Sequence, residues 1–377
     1  MRVKPINKNL VFYQLSRAGK AFLIPWFFGR KKVPFKPIFV SLEVEDTCFF
    51  RCQHCDIWKK ERAPKRMDLE QMKKLVIMLK KWLGTFQLNL TGGEPFLNED
   101  IFSLIKFASD QGILVHVNSN GFLINEKLAK EIIKSGLNSL SISLDTLDSK
   151  LYNQLRGNKR AFQGAINAFK TVNNLRQSKK PFLSMTTVIM KQNLNELEKL
   201  VFWAKKQDLD AIFFQAVWQN FDAKYKPLWF KSSDFWPNDI KKVNKVMDRL
   251  SQMKVEDYPI GNVRSDFHYY KLYFANPVRF GERNPCLAGL NNFNIDITGK
   301  IRLCFNFPPV GNILKEKPQA IWNGEEAQRQ RLKIARCERG CKILLCNNPL
   351  SRKEAINLLL GSTVGKIKKA LKTNEKN

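Results

Sequence analysis

An α/β fold is predicted by three features of this 377-residue sequence. Short apolar runs alternate with amphipathic stretches from residue 37 to about 220. Glycines (Gly84, Gly112, Gly136) follow several of the amphipathic stretches, as they do at helix ends. A second, cysteine-rich region begins only at Cys286. Strands alternating with helices argue for a parallel sheet with helices outside, and the late cysteines argue for a small appended domain. A chain this long can bury one large core and a smaller one.

The strand candidates are Pro37–Val44, Phe86–Leu90, Leu114–Val117, Ser139–Leu144, Phe182–Met190 and Ala211–Val217, most of them rich in β-branched or aromatic residues. The clearest helix is Asp68–Leu83, with Leu69, Met72, Leu75, Val76, Leu79, Trp82 and Leu83 on one face. Asp68 with Gln71 resembles a capping box. Further helices are expected at Glu99–Gln111, Asn125–Ser135, Arg160–Gln177 and Asn195–Gln207. Beyond residue 220 the pattern changes to an aromatic, lysine-rich stretch with one helix near Asp239–Met253. The expected organisation is a basic, aromatic segment 1–36, a core 37–220, a bridging segment 221–285, a cysteine domain 286–350 and a basic tail 351–377 that starts as an amphipathic helix.

Sixty-four Lys and Arg against 34 Asp and Glu leave a formal charge of +30. Such an excess attracts something anionic: nucleic acid, a membrane surface or a phosphorylated substrate. The basic residues are spread along the whole chain, so a solvated lysine-rich surface is the competing reading. Eight cysteines in two distant groups, without a convincing signal peptide, argue for metal or redox work in a reducing cytoplasm rather than for disulfides. The run Ala21–Phe28 is flanked by Arg17, Lys20, Arg30, Lys31 and Lys32, is too short to span a bilayer and contains Pro25. It either packs on the core as a helix or lies in a membrane interface, lysines toward anionic headgroups.

Cys48, Cys52 and Cys55 form a C-x3-C-x2-C run directly after the first strand. Three thiolates on one loop can hold three irons of a 4Fe–4S cube and leave the fourth iron open, whereas an electron-transfer cluster normally takes four thiolates. Zinc prefers paired cysteine motifs, and no second pair lies close in sequence. Thr91-Gly92-Gly93-Glu94-Pro95 follows the second strand, where glycine lets backbone approach a ligand closely. Asn118-Ser119-Asn120-Gly121 follows the third strand, and Ser141-Ile142-Ser143-Leu144-Asp145 ends the fourth.

With these residues the sequence resembles the radical S-adenosylmethionine (SAM) superfamily over about residues 37–350. The resemblance implies a partial (β/α)6 barrel, TIM-barrel-like, with reactive groups on loops at the C-terminal ends of the strands. It implies that SAM binds the open iron through its amine and carboxylate. An external reductant such as flavodoxin or ferredoxin then drives cleavage to a 5′-deoxyadenosyl radical that abstracts hydrogen from a substrate. It implies that Gly92, Gly93 and Glu94 hold the SAM amine, and that Asn120, Ser143, Asp145 and Arg156 contact its ribose or carboxylate. Thr187, Val188, Asn193 and Gln215 resemble later strand-end positions. The family often carries an aromatic residue before the last cysteine; His54 stands there in this chain. Phe49, Phe50, Ile57 and Trp58 are positioned to shield the cluster.

Cys286-x12-Gly299-x4-Cys304 resembles the opening of a SPASM or Twitch auxiliary-cluster domain, with Gly299 in the turn between two short strands, Asn294–Ile297 and Ile301–Leu303. Cys337, Cys341 and Cys346 follow, and the spacing of Cys337 and Cys341 departs from the family's C-x2-C. Five cysteines cannot close two clusters of four thiolates each, so one auxiliary 4Fe–4S cluster and one spare cysteine are expected. Zinc on the same thiols is the alternative. The resemblance leaves the substrate open among small molecules, sugar- or lipid-linked groups and peptides. The absence of an obvious leader-binding segment tilts the expectation toward the first two. RNA modification would follow from the charge, but no RNA-binding motif is visible and a nucleic-acid partner is not expected. A non-catalytic iron–sulfur or zinc protein on a barrel scaffold is the remaining alternative.

Overall fold

The computed structural model describes residues 23–24, 26–219, 225–344 and 356. All six expected strands form: β1 (Phe39–Glu45), β2 (Gln87–Gly92), β3 (Leu114–Ser119), β4 (Ser139–Ser143), β5 (Phe182–Ile189) and β6 (Ala211–Ala216). Each pairs in parallel with the next. With helices between consecutive strands, they make a partial (β/α)6 barrel. Alternation along β1 shows how the sequence builds it. Val40, Leu42 and Val44 are buried among the outer helices, while Ser41 and Glu43 face the cavity inside.

Helix Leu69–Leu83 buries Met72, Leu75, Val76, Leu79 and Trp82, each such side chain stabilising the fold by about 1.5–3 kcal/mol. The capping box is present. Asp68 Oδ1 accepts from Gln71 N at 2.8 Å, and Gln71 Oε1 accepts from Asp68 N at 3.0 Å. A helix at Ser149–Arg156 lacks an expectation from sequence because its eight residues are too few to show a period. Asp148 caps it, accepting from Lys150 N and Leu151 N.

Beyond β6 the aromatic stretch is more helical than expected. Ile240–Val255 is followed by Arg264–Ala275 and Pro277–Arg283. These residues cover the open edge of β6, which would otherwise present unpaired backbone. The Asn262 amide accepts from Phe214 N at 2.7 Å and donates to Phe214 O at 3.1 Å. The Tyr270 hydroxyl donates to Phe214 O and the Tyr273 hydroxyl to Val217 O.

The C-terminal hairpin joins the same sheet. β7 (Asn292–Ile295) pairs in parallel with the free side of β1. β8 (Lys300–Arg302) and β9 (Gly311–Asn312) continue antiparallel, giving the order β6-β5-β4-β3-β2-β1-β7-β8-β9. The β7–β8 turn falls where expected, with Gly299 at φ +82°. Helices Pro318–Asn323 and Glu325–Ala335 follow. The N-terminal residues that are described pack inward: Trp322 Nε1 donates to Phe35 O at 3.1 Å and Arg331 Nη1 to Lys31 O at 3.3 Å. Of the apolar N-terminal run, Ala21, Phe22 and Pro25 lie outside the described residues, as does the tail from Ser351 apart from Ile356. Among the described residues no helix is long and apolar enough to cross a membrane.

Arg176 locks the start of β5 to the start of β6. It bonds Pro181 O, Asp208 O and the Asp210 carboxylate, and that carboxylate also accepts from Leu183 N. Arg176 is buried and the Asp210 side chain is 10% exposed. Arg176→Met leaves Asp210 with only Leu183 N and the exposed Lys179, 3.9 Å away, as partners, at a cost toward the lower end of about 3–5 kcal/mol. Urea unfolding of the purified variant should show the loss as a lower midpoint.

Candidate active site and a second cysteine chamber

The loop after β1 is held by charge at its root. Glu45 Oε1 accepts from Thr47 N at 2.9 Å and Thr47 Oγ1 at 2.6 Å. Arg66 bridges Glu45 at 3.1 Å and Asp46 at 2.5 Å. Farther on, Gln53 N donates to Leu155 O at 2.9 Å and Trp58 Nε1 to Cys52 O at 3.2 Å. These ties bring Cys48, Cys52 and Cys55 to the wall of one cavity of about 870 Å³. All three are free thiols. Burial pushes Cys48 up to about 11, and burial likewise raises Cys55; each thiol's neighbours in the triad add to the shift. Thiols held protonated this way need a bound metal to draw off their protons.

Phe49, Phe50 and Phe122 form an aromatic cluster with ring centroids 5.0–5.5 Å apart, and Phe50 also lines the cavity. His54 stands edge-on to Phe235 at 6.2 Å. Desolvation first, and Arg156 second, push its pKa down to about 4, so its ring is neutral.

Gly92 and Gly93 are required by backbone, not only by a ligand. A Cβ on Gly92 would lie 1.9 Å from Glu45 O, and one on Gly93 1.9 Å from Thr47 O. Without side chains the two loops zip together: Gly93 N donates to Glu45 O at 2.7 Å and Glu94 N to Thr47 O at 2.9 Å. Glu94 is 1% exposed. Its oxygens accept from Ser119 Oγ at 2.8 Å, Asn120 N at 2.8 Å and Phe96 N at 3.3 Å. A carboxylate has about four acceptor sites, so one remains. Desolvation raises its pKa to about 7, against the pull of those donors.

Of the other expected contacts, Gly92, Gly93, Asn120, Ser143, Arg156, Val188 and Gln215 line the cavity. Asn120 Nδ2 points to Cys48 Sγ at 4.0 Å. Asp145, Thr187 and Asn193 instead lie behind the wall. Asp145 is fully buried, accepting from Arg156 Nη2 at 2.7 Å and Val188 N at 2.9 Å. Thr187 bonds Leu144 O, and Asn193 bonds Asp145 O and Val188 O. Arg156 is thereby committed to Asp145, with Nη1 3.9 Å from Cys52 Sγ. Among the described residues its buried Nε has no partner, leaving one donor for a ligand.

Glu43, Lys60, Asp296 and Arg302 also line this cavity, and sequence motifs do not mark them. Glu43's carboxyl is pushed up by burial, with Lys60 pulling the other way. The signal was present in β1, where Ser41 and Glu43 alternate with Val40, Leu42 and Val44.

The late cysteines make a separate chamber. Cys286, Cys304, Cys337 and Cys341 line one cavity of about 90 Å³. Burial pushes Cys286 up to about 12, with Cys304 and Cys337 adding to it. Burial also raises Cys341, with Cys304, Cys286 and Cys337 adding to it. Cys337 and Cys341 therefore join Cys286 and Cys304 despite their unusual spacing. Cys346 lies outside the described residues. Among the described residues no three His, Cys, Asp or Glu side chains close tightly on the position of a single ion.

Fold and thiols together define an enzyme that works through thiolate-held iron–sulfur chemistry. Residues 42–204 match the Radical SAM superfamily, and residues 286–347 match SPASM, an iron–sulfur cluster-binding domain. The chain belongs to the radical SAM superfamily, as an enzyme whose barrel uses a 4Fe–4S cluster and SAM and whose SPASM domain adds auxiliary iron–sulfur binding. It is 23% identical over 312 residues to the AdoMet-dependent heme synthase of Methanosarcina barkeri, covering 78% of this chain and 84% of that one. It is 25% identical over 301 residues to the PqqA peptide cyclase of Bradyrhizobium diazoefficiens, covering 77% and 74%. The fold also matches Streptococcus suis SuiB bound to S-adenosylmethionine, with a TM-score of 0.59 at 18% identity over 81% of this chain and 71% of that one.

Gly93→Ala should force the β2 loop off the Cys48 loop, because the contact is to backbone, which cannot rotate away. Iron bound at the first site and SAM affinity should fall together, while auxiliary iron is retained. Iron analysis and equilibrium dialysis with labelled SAM measure the two.

Proposed function

We propose that the cluster on Cys48, Cys52 and Cys55 cleaves SAM reductively and that the resulting 5′-deoxyadenosyl radical takes a hydrogen atom from a polar substrate in the 870 Å³ cavity. The observation that carries this reading is the triad on that wall, zipped to the Gly93–Glu94 loop. The thiols fit the group: three donors from one loop, a buried carboxylate with one acceptor left, and an unpartnered Arg156 Nε. Cys48, Cys52 and Cys55 would hold the cluster through which one electron, from a reductant such as flavodoxin or ferredoxin, passes into the sulfur–C5′ bond of SAM, with methionine as the leaving group. Before that cleavage, Glu94 would accept from the SAM amine and Arg156 Nε would donate to the SAM carboxylate. Glu43, Lys60 and Arg302 supply charged contacts for a compact substrate, a small molecule or a sugar- or lipid-linked headgroup. A peptide segment is the second reading, favoured by the likeness to the PqqA peptide cyclase. One auxiliary 4Fe–4S cluster is assigned to the chamber lined by Cys286, Cys304, Cys337 and Cys341. The charge of +30 supports docking of an acidic reductant and contact with an anionic membrane surface from the cytoplasm.

After anaerobic reconstitution, dithionite and SAM should yield 5′-deoxyadenosine and about eight irons per chain, four for each cluster. Cys52→Ala should abolish the nucleoside and keep about half the iron. Iron and SAM binding without any nucleoside, even across candidate substrates, would sink the radical reading.

A pH dependence follows from Glu94. Burial raises the pKa of its carboxyl to about 7, and only the ionised form accepts from the SAM amine on both oxygens. SAM affinity should therefore rise with pH up to about pH 7. Glu94→Gln should bind weakly with a flat profile. Calorimetric titrations across about pH 5.5 to 8.5 would read both.

A further inference from the structure

Asn306 stands two residues beyond Cys304, at the edge of the second cysteine chamber. Its Nδ2 donates to Cys341 Sγ at 3.5 Å. Burial raises the Cys304 thiol, and both the backbone and the side-chain N–H of Asn306 act against that rise. One residue thus directs N–H groups at two of the four thiols.

The orientation of its amide is fixed by chemistry. Arg339 Nη1 donates to Asn306 Oδ1 at 2.6 Å. An arginine only donates, so the amide oxygen must face Arg339 and the NH2 must face the sulfurs. Arg339 is itself held, its guanidinium 4.5 Å above the ring of Tyr225, a contact that favours a planar cation. Across the chamber, Lys342 Nζ is anchored on Gly281 O and Asn284 O, and its charge opposes the rise that burial imposes on Cys286.

Hydrogen bonds to cluster sulfurs are one of the levers that set a cluster's potential. An electron arriving from the external reductant adds negative charge to the iron–thiolate unit. N–H donors bind that extra charge more strongly than the oxidised state. We infer that Asn306, held in place by Arg339, is a positioning and tuning residue that raises the reduction potential of the auxiliary cluster. The inference rests on the auxiliary-cluster reading proposed above.

The test is a redox titration followed by electron paramagnetic resonance. It uses the full chain carrying Cys48→Ala, Cys52→Ala and Cys55→Ala, so that only the auxiliary cluster gives a signal. Asn306→Asp keeps the shape and replaces the donor with an acceptor. Arg339→Gln loosens the clamp but leaves the amide. The Asp variant should lower the reduced-to-oxidised ratio at a fixed potential by about tenfold, which is about 59 mV for a one-electron couple. The Gln variant should shift the same way by less. About four irons per chain with an unmoved midpoint in both variants overturns the inference alone. Loss of iron from both variants would make Asn306 a structural support and overturns it too. Failure of the triple-alanine chain to bind iron overturns the auxiliary-cluster reading and the inference with it.

Discussion

Two backbone hydrogen bonds at a place without side chains hold the reactive end of the barrel together. Gly93 N to Glu45 O and Glu94 N to Thr47 O are possible only because residues 92 and 93 lack a Cβ. Through them the ends of β1 and β2 become one unit. Glu94 is carried inward, where Ser119 and Asn120 fasten it to the end of β3, and Asn120 in turn reaches Cys48. The cysteine loop is clamped from the other side as well. Gln53 is tied to Leu155, Arg51 O lies 2.5 Å from where a Cβ on Gly157 would be, and Arg156 ties Cys52 to Asp145 just past the end of β4. Four strand ends therefore converge on three sulfurs.

Most of this was legible where the information is local. The triad lies within eight residues, so its chemistry can be read without a fold. The strands announce themselves by short stretches rich in β-branched and aromatic residues, even where Ser41 and Glu43 alternate inward to the cavity. What escaped was pairing at long range. Asp145 and Arg156 look like separate polar ligands in sequence, yet the fold spends them on each other, because a buried guanidinium without a carboxylate would be costly. Cys337 and Cys341 are among the candidate ligands read from sequence, but their unusual spacing does not by itself place them beside Cys286 and Cys304. The segment 277–283 and the turn at Glu338–Arg339 pack so closely that a Cβ on Gly281 would meet Glu338 O at 1.8 Å, and that packing, not a motif, delivers the thiols.

The continuity of the sheet explains how the triad and the C-terminal hairpin share one cavity. β7 extends the barrel beside β1, so Asn294, Asp296 and Arg302 from the hairpin line the same cavity as Cys48. Phe305 lines both that cavity and the second chamber. The cavity wall thus runs from the triad to the doorstep of the auxiliary thiols without crossing a flexible linker.

The two chambers differ most in their charge balance. Near the triad, the Arg156 guanidinium is neutralised by Asp145, and the buried Glu94 adds acidity. Reduction there works against its surroundings. At the second site four thiolates make the iron–sulfur unit one charge more negative than three would, which by itself disfavours reduction. Arg339, which makes no ion pair among the described residues, and Lys342 lie beside those sulfurs, and Asn306 adds N–H donors. Cations and donors together offset the fourth thiolate. On the reading proposed here, the barrel's cluster is the harder of the two to reduce, as cleavage of an unreactive carbon–sulfur bond demands. The auxiliary cluster is then the easier resting place for an electron leaving the substrate radical across the shared cavity.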